Sequence, residues 1–210
     1  MRSNSPVLKG GNLAVDKEGK EIAKASRVAQ IPLWNAFYFF TLYANAEEYK
    51  AKEITSSSEA IDNYILSKLK RLRDTVKSGI ESYDVAVATN EIAAFMEVLN
   101  NWYIRRTRDR FWEGDALAFD TLYTVLVNVA KIIAPLMPFV SEYVFKTLTG
   151  EESVHLADYP SLSEIAYDAA LVEQMDFVQD LCSTAKFIRE EKNLRNRLPL
   201  ASLTVIGAEL

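Results

Sequence analysis

Residues 101–112 read Asn101-Trp102-Tyr103-Ile104-Arg105-Arg106-Thr107-Arg108-Asp109-Arg110-Phe111-Trp112. Four arginines and four aromatics fall in these twelve residues, although the chain carries a net charge of −5. The stretch closes a long apolar-periodic segment that begins after Asp84, which predicts that it forms the last three turns of a helix. At about 100° per residue two faces separate. Trp102 and Tyr103 continue the apolar stripe of Ala88, Ile92, Phe95, Met96 and Leu99, and Arg106 and Arg110 lean to the same buried side. Asn101, Arg105, Arg108 and Trp112 fall together on the polar side. Amide, guanidinium, guanidinium and indole in a row offer hydrogen bonds, phosphate pairing and a stacking plate to an unpaired nucleotide. The same residues also fit a solvated arginine face in which Trp102 and Trp112 are both core anchors.

Around this stretch the chain reads as helical. It has 210 residues, 49% apolar and 25% charged, enough for one substantial core and unlike a disordered chain. Seven glycines and six prolines are too few for the many turns of a sandwich or barrel. Residues 1–16 read as an irregular lead-in, and a helix is expected from Lys17 to about Gln30. Beyond Pro32, Leu33 to Tyr43 is apolar on every side, which predicts a helix in the middle of a bundle. Asn35 within it calls for a buried hydrogen-bond partner.

Ser56 followed by Glu59 has the spacing of a capping box. Ile61, Ile65, Leu69, Leu72, Val76 and Ile80 then mark a helix of about 22 residues. Its Lys68, Lys70, Arg71 and Arg73 read as a solvated outer face, with an RNA-backbone contact as the other reading. Asp84 is expected to cap the next helix. Further helices are expected from Asp115 to Ala134, from Phe139 to Leu148 after the Pro135–Pro138 elbow, and from Asp168 to Asn193. Leu203-Thr204-Val205-Ile206 reads as a strand without a partner, and a lone strand leaves its backbone groups unpaired. That predicts a piece of a longer polypeptide. The expected architecture is all-α, an antiparallel helical bundle over residues 17–163. A long C-terminal helix and the start of a junction region, with the short orphan strand, occupy residues 164–210.

The single cysteine, Cys182, allows no internal disulfide, and its apolar neighbours Phe177, Val178 and Leu181 suggest a small buried side chain. With one histidine, His155, there is no Glu-x-x-His pair for a di-iron bundle and no nucleophile motif for a triad. Glycine-rich phosphate loops are absent from the sequence. These residues by themselves do not describe an enzyme. Neither a secretory pattern nor an apolar run long enough for a membrane is read, so a cytoplasmic chain with no membrane partner is expected. Charge is unevenly spread: eight acidic residues and no lysine or arginine lie from Glu151 to Asp180, whereas Lys186, Arg189, Lys192, Arg195 and Arg197 face only two acids. This second basic cluster suits either a solvated face or an RNA-backbone contact.

Several motifs together resemble the C-terminal region of isoleucyl-tRNA synthetase, a class I aminoacyl-tRNA synthetase. Ser5-Pro6-Val7 with Gly10-Gly11 resembles the segment after the family's catalytic domain, and Pro32-Leu33-Trp34-Asn35-Ala36-Phe37-Tyr38-Phe39-Phe40 its first anticodon-domain helix. Asn101 to Trp112 resembles its Asn-Trp-Tyr-Ile-Arg-Arg-x-Arg-x-Arg-Phe-Trp signature. Ala134-Pro135-Leu136-Met137-Pro138-Phe139 matches an elbow shared with the valyl and leucyl enzymes, and Ser153-Val154-His155-Leu156 with Asp158-Tyr159-Pro160 resembles the loop beyond it. Tyr159 stands where the family more usually has Trp.

The resemblance implies a helical domain that binds the anticodon stem-loop of an isoleucine tRNA. It implies a parent that uses ATP and Mg to attach isoleucine and that edits misacylated tRNA. The His-Ile-Gly-His-like and Lys-Met-Ser-Lys-Ser-like motifs are missing from these 210 residues, so they should be inactive alone and hold no cofactor of their own. The implied partners are the tRNA and the catalytic and C-terminal regions of the same polypeptide. Asn101, Arg105, Arg108 and Trp112 become the leading RNA contacts, followed by Arg106, Arg110, Lys186, Arg189, Lys192 and Arg195. A free-standing helical protein–protein module is the alternative from another class.

Overall fold

The computed structural model describes residue 27 and residues 29–195 and 197–206. The expected lead-in and nearly all of the expected helix from Lys17 lie outside them. Among the described residues every regular element is helical: α1 Gln30–Ala46, α2 Ala60–Glu81, α3 Val85–Glu97, α4 Arg105–Trp112, α5 Ala116–Ile133, α6 Pro138–Thr149 and α7 Ala169–Glu191. A π-helical segment, Val98–Ile104, joins α3 to α4. The chain divides into two compact units, one ending at Tyr167 and the other starting at Asp168.

In the first unit α5 is the central helix. Fourteen of its 18 residues are buried, so its length and apolarity serve the interior of the bundle. α2 packs on α3, and α5 packs on α6, α2 and α1. Leu33, Ala36, Phe40, Leu69, Leu72, Ile92, Met96, Leu122 and Val125 share the main core. Within α5 a polar stripe runs through that apolar surface at four-residue spacing. Asp120 Oδ1 accepts from Tyr49 Oη (3.1 Å) and the Lys52 amide (2.9 Å), and Thr124 Oγ1 accepts from the Ile54 amide (2.9 Å). Asn128 Nδ2 donates to Glu53 Oε2 at 2.8 Å. Buried polar groups need partners, and here an irregular segment supplies them and is fixed on the bundle in return.

Local signals set the helix ends. Asp84 accepts from the Val87 amide, Asp115 from the Leu117 amide, and Asp168 from the Leu171 amide, each at a helix start. Pro138 opens α6, and Gly150, with φ of 74°, closes it. Gly79 permits the closest crossing: a Cβ there would lie 3.0 Å from the Asp84 carbonyl oxygen and 3.1 Å from the Ala88 nitrogen.

Several expectations are corrected. Asn35 is exposed, and α1 lies on the outside of the bundle: Leu33, Ala36, Phe37, Phe40 and Ala44 face in, while Trp34, Tyr38 and Leu42 are about half exposed. Apolar residues on every side therefore did not make it central. The capping box is replaced by a different knot, in which the Ser57 amide donates to Asn63 Oδ1 and Asn63 Nδ2 returns a bond to the Ser57 carbonyl. The basic face of α2 is largely engaged within the unit. Lys68 is buried with its ammonium over the Tyr64 ring, Lys70 Nζ donates to the Ile165 carbonyl at 2.6 Å, and Arg71 pairs with Glu91 at 3.0 Å. Cationic stems pack along the helix while their heads find local acceptors. Residues 203–206 are irregular rather than a strand, because no neighbouring strand among the described residues can complete a ladder.

In the second unit α7 buries only Val172, and Cys182 is half-buried.

Candidate nucleic-acid interface

The arginine-aromatic stretch straddles the π segment and α4. A π turn holds one residue more than an α turn, which sets the downstream face back by about one residue, or roughly 100°. The buried side consequently runs Leu99, Tyr103, Thr107 and Phe111, at strict four-residue spacing. Thr107 Oγ1 donates to the Tyr103 carbonyl at 2.8 Å. Phe111 is fully buried and meets Phe39 and Phe119 edge-on, with centroids 5.0 and 5.1 Å away.

The opposite side carries the predicted contacts. Trp112 is 76% exposed although its neighbour Phe111 is sealed in the core. Asn101, Arg105 and Arg108 are exposed too, and neither arginine forms an ion pair among the described residues. Asn101 Nδ2 donates to Glu97 Oε1 at 2.6 Å, a bond formed at the surface. Three of the four leading residues thus stand open with their full donor or stacking capacity.

The lower-ranked residues divide. Arg106 is exposed rather than inward, and its guanidinium lies over the Trp102 ring at 4.5 Å. Trp102 is half-buried, and its Nε1 is buried without a partner. Arg110 is committed to carboxylates. Nη1 and Nη2 reach the two oxygens of Asp62 at 2.8 and 3.0 Å, and Nε reaches Asp115 Oδ2 at 2.7 Å. Burial alone would lower the Arg110 pKa, but these bonds outweigh it and raise the value. Asp62 is fully buried and also accepts from Tyr103 Oη at 3.0 Å and Ser57 Oγ at 2.8 Å. Burial, then the Asp62 charge, pushes the Tyr103 phenol well above its ordinary value. Burial would also raise the Asp115 carboxyl, yet the bonds from Arg110 and the Leu117 amide hold it below 3.8.

In the second unit Lys186, Lys192 and Arg195 are exposed, while Arg189 is half-buried and bonds the Leu198 carbonyl.

Sequence reasoning missed Asp62. Its signal was available, since a carboxylate three and four residues before Ile65 and Leu66 falls on the inner face and requires a cation.

A helix end that anchors one flank in a bundle and opens guanidinium and indole groups on the other suits a single-stranded nucleic acid, and the comparisons agree in class. Residues 62–205 match the family model described as the anticodon-binding domain of tRNA ligase, and the chain belongs to that family. Among curated proteins it is 47% identical over 210 residues to the isoleucine–tRNA ligase of Leifsonia xyli subsp. xyli, covering 97% of this chain. It is 44% identical over 201 residues to that of Mycobacterium tuberculosis, covering 96%, and 40% over 231 residues to that of Rickettsia bellii, covering 97%. The chain spans about a fifth of the length of these relatives: 19%, 19% and 21%.

Proposed function

We propose that this domain binds the anticodon arm of an isoleucine tRNA as part of an isoleucine–tRNA ligase acting in the cytoplasm. The first unit forms the binding bundle, and the residues from Asp168 onward begin the junction to the rest of the polypeptide. Arg105 and Arg108 pair with backbone phosphates, Asn101 hydrogen-bonds a base or sugar, and one splayed base stacks on Trp112. Arg106, already lying on Trp102, extends the same cationic surface. Lys186, Lys192 and Arg195 supply further backbone contacts, while Arg189 is partly engaged. Arg110 we assign to the scaffold. Attachment of isoleucine and editing fall to other regions of the parent, which use ATP and Mg, so the 210 residues alone are inactive.

The observation that carries this reading is the 76% exposure of Trp112 beside two exposed arginines that form no ion pair among the described residues. A base is a natural cover for an exposed indole flanked by guanidinium groups. Filter binding of isoleucine tRNA against an unrelated tRNA, at fixed salt, tests it. Tighter binding of the isoleucine tRNA supports the assignment. Equal absence of binding by both points instead to an interaction module without RNA.

A further inference from the structure

The Asp62–Arg110 bridge does more than join two helices. α4 continues the helical path of α3 and the π segment, and of its own eight residues it buries only Thr107 and Phe111. Beside the buried Thr107 and Phe111, Arg110 is the polar residue through which it is held. Its guanidinium is gripped on one side by both oxygens of Asp62, at the start of α2, and on the other by Asp115, at the start of α5. Asp62 is in turn braced by Tyr103, from the π segment, and by Ser57, from the loop before α2. The π segment, α4 and the loop before α2 are therefore tied to one carboxylate, and the start of α5 to a second.

A largely buried ion pair is weak evidence for stability, because apolar residues of the same volume often do as well. What a bidentate guanidinium–carboxylate pair supplies is direction: two parallel bonds fix the rotation of the side chain that makes them. Arg110 lies two residues before Trp112 and two after Arg108, so turning Arg110 about the helix axis swings both.

We propose that Asp62 and Asp115 are positioning residues for RNA binding. Through Arg110 they set the rotation of α4 that presents Arg105, Arg108 and Trp112 together. This rests on the anticodon-arm reading above. Neither carboxylate touches RNA, and both would otherwise repel it, so a loss of affinity on neutralising them cannot come from a lost direct contact.

The test is a double-mutant cycle on the 210-residue chain, measuring affinity for isoleucine tRNA at a temperature where circular dichroism shows every variant folded. Asp115→Asn is the cleaner variant, because Asn still caps α5 while the ion pair is lost; Asp62→Asn is the stronger one. Trp112→Ala should weaken binding about tenfold. Asp115→Asn should weaken it about threefold and Asp62→Asn five- to tenfold. Each should weaken binding by less on the Trp112→Ala background than it does alone, since part of its effect runs through that residue. Val76→Ala, four turns along α2 in the core, should lower thermal stability and leave affinity unchanged. If Asp115→Asn and Asp62→Asn bind as the parent does while Trp112→Ala binds worse, the positioning role is refuted and the interface stands. Full additivity with Trp112→Ala, or an equal loss in Val76→Ala, also refutes it. If Trp112→Ala itself binds unchanged, the interface assignment has failed first.

Discussion

Phe111 and Trp112 are adjacent large aromatics, and the structure assigns them opposite work, so truncating each in turn should give opposite results. Phe111→Ala removes a fully buried ring packed edge-on between Phe39 and Phe119. Buried Phe→Ala changes cost about 3–5 kcal/mol, and losing two edge-to-face partners places this one near the upper half, at about 4 kcal/mol. For a chain of this size about 2–4 °C is lost per kcal/mol, which predicts a melting temperature lower by roughly 8–16 °C. Trp112 is 76% exposed, so about a quarter of its surface is covered. At about 250 Å² per ring and 25 cal/mol/Å², that is an upper bound of about 1.5 kcal/mol. Trp112→Ala should therefore shift the melt by no more than about 6 °C. Thermal unfolding followed by circular dichroism at 222 nm measures both. Equal losses, or a larger loss for Trp112→Ala, would mean that Trp112 is a core anchor and that the orientation of α4 has been misread.

Three further outcomes follow from the same geometry. Gly79→Ala should destabilise by more than 1 kcal/mol, against the usual gain for Gly→Ala in a helix, because its new Cβ meets the Asp84 and Ala88 backbone at 3.0 and 3.1 Å; a chemical-denaturation midpoint at or above the parent's would refute the close crossing. Asp115 has its folded pKa depressed below 3.8, so its contribution is present above the unfolded value and disappears as pH falls through the folded one. Stability should accordingly drop below about pH 4, and Asp115→Asn should flatten that acid limb; an unchanged limb would remove the Arg110–Asp115 pair from the account. Arg105→Ala with Arg108→Ala should reduce the slope of log affinity against log salt by about 0.7 per lost single-strand phosphate contact, and an unaltered slope would take both arginines out of the interface.

Much of the fold was legible because its helices announce their inner faces and their ends. The spacing of Ile61 through Ile80, the cap at Asp84, the helix start near Asp168, and the stops at Pro135 and Gly150 all correspond to the observed α2, α3, α5, α6 and α7. What periodicity could not convey was depth. Leu33 to Tyr43 is greasier than most of the chain, yet α5, with Asp120, Thr124 and Asn128 among its buried residues, is the helix in the centre. Polar groups there are tolerated because residues 49–54 satisfy them, a long-range fact no window reveals. The face proposed for contact was legible only as exposure: Asn101, Arg105, Arg108 and Trp112 are all exposed. A 3.6-residue wheel does not contain the π segment, which is why it turns Arg106 inward although the side chain is exposed. The cations of α2 misled for a related reason, since charge alone does not show whether Glu91, a Tyr64 ring or the Ile165 carbonyl lies within reach.

The most direct test of the central claim is the affinity of folded Trp112→Ala for isoleucine tRNA. A base stacked on an aromatic contributes about 1–3 kcal/mol, so binding should weaken by roughly tenfold or more while the melting curve stays near the parent's. Unchanged affinity with an intact melt would contradict the account, leaving the exposed indole without an RNA partner.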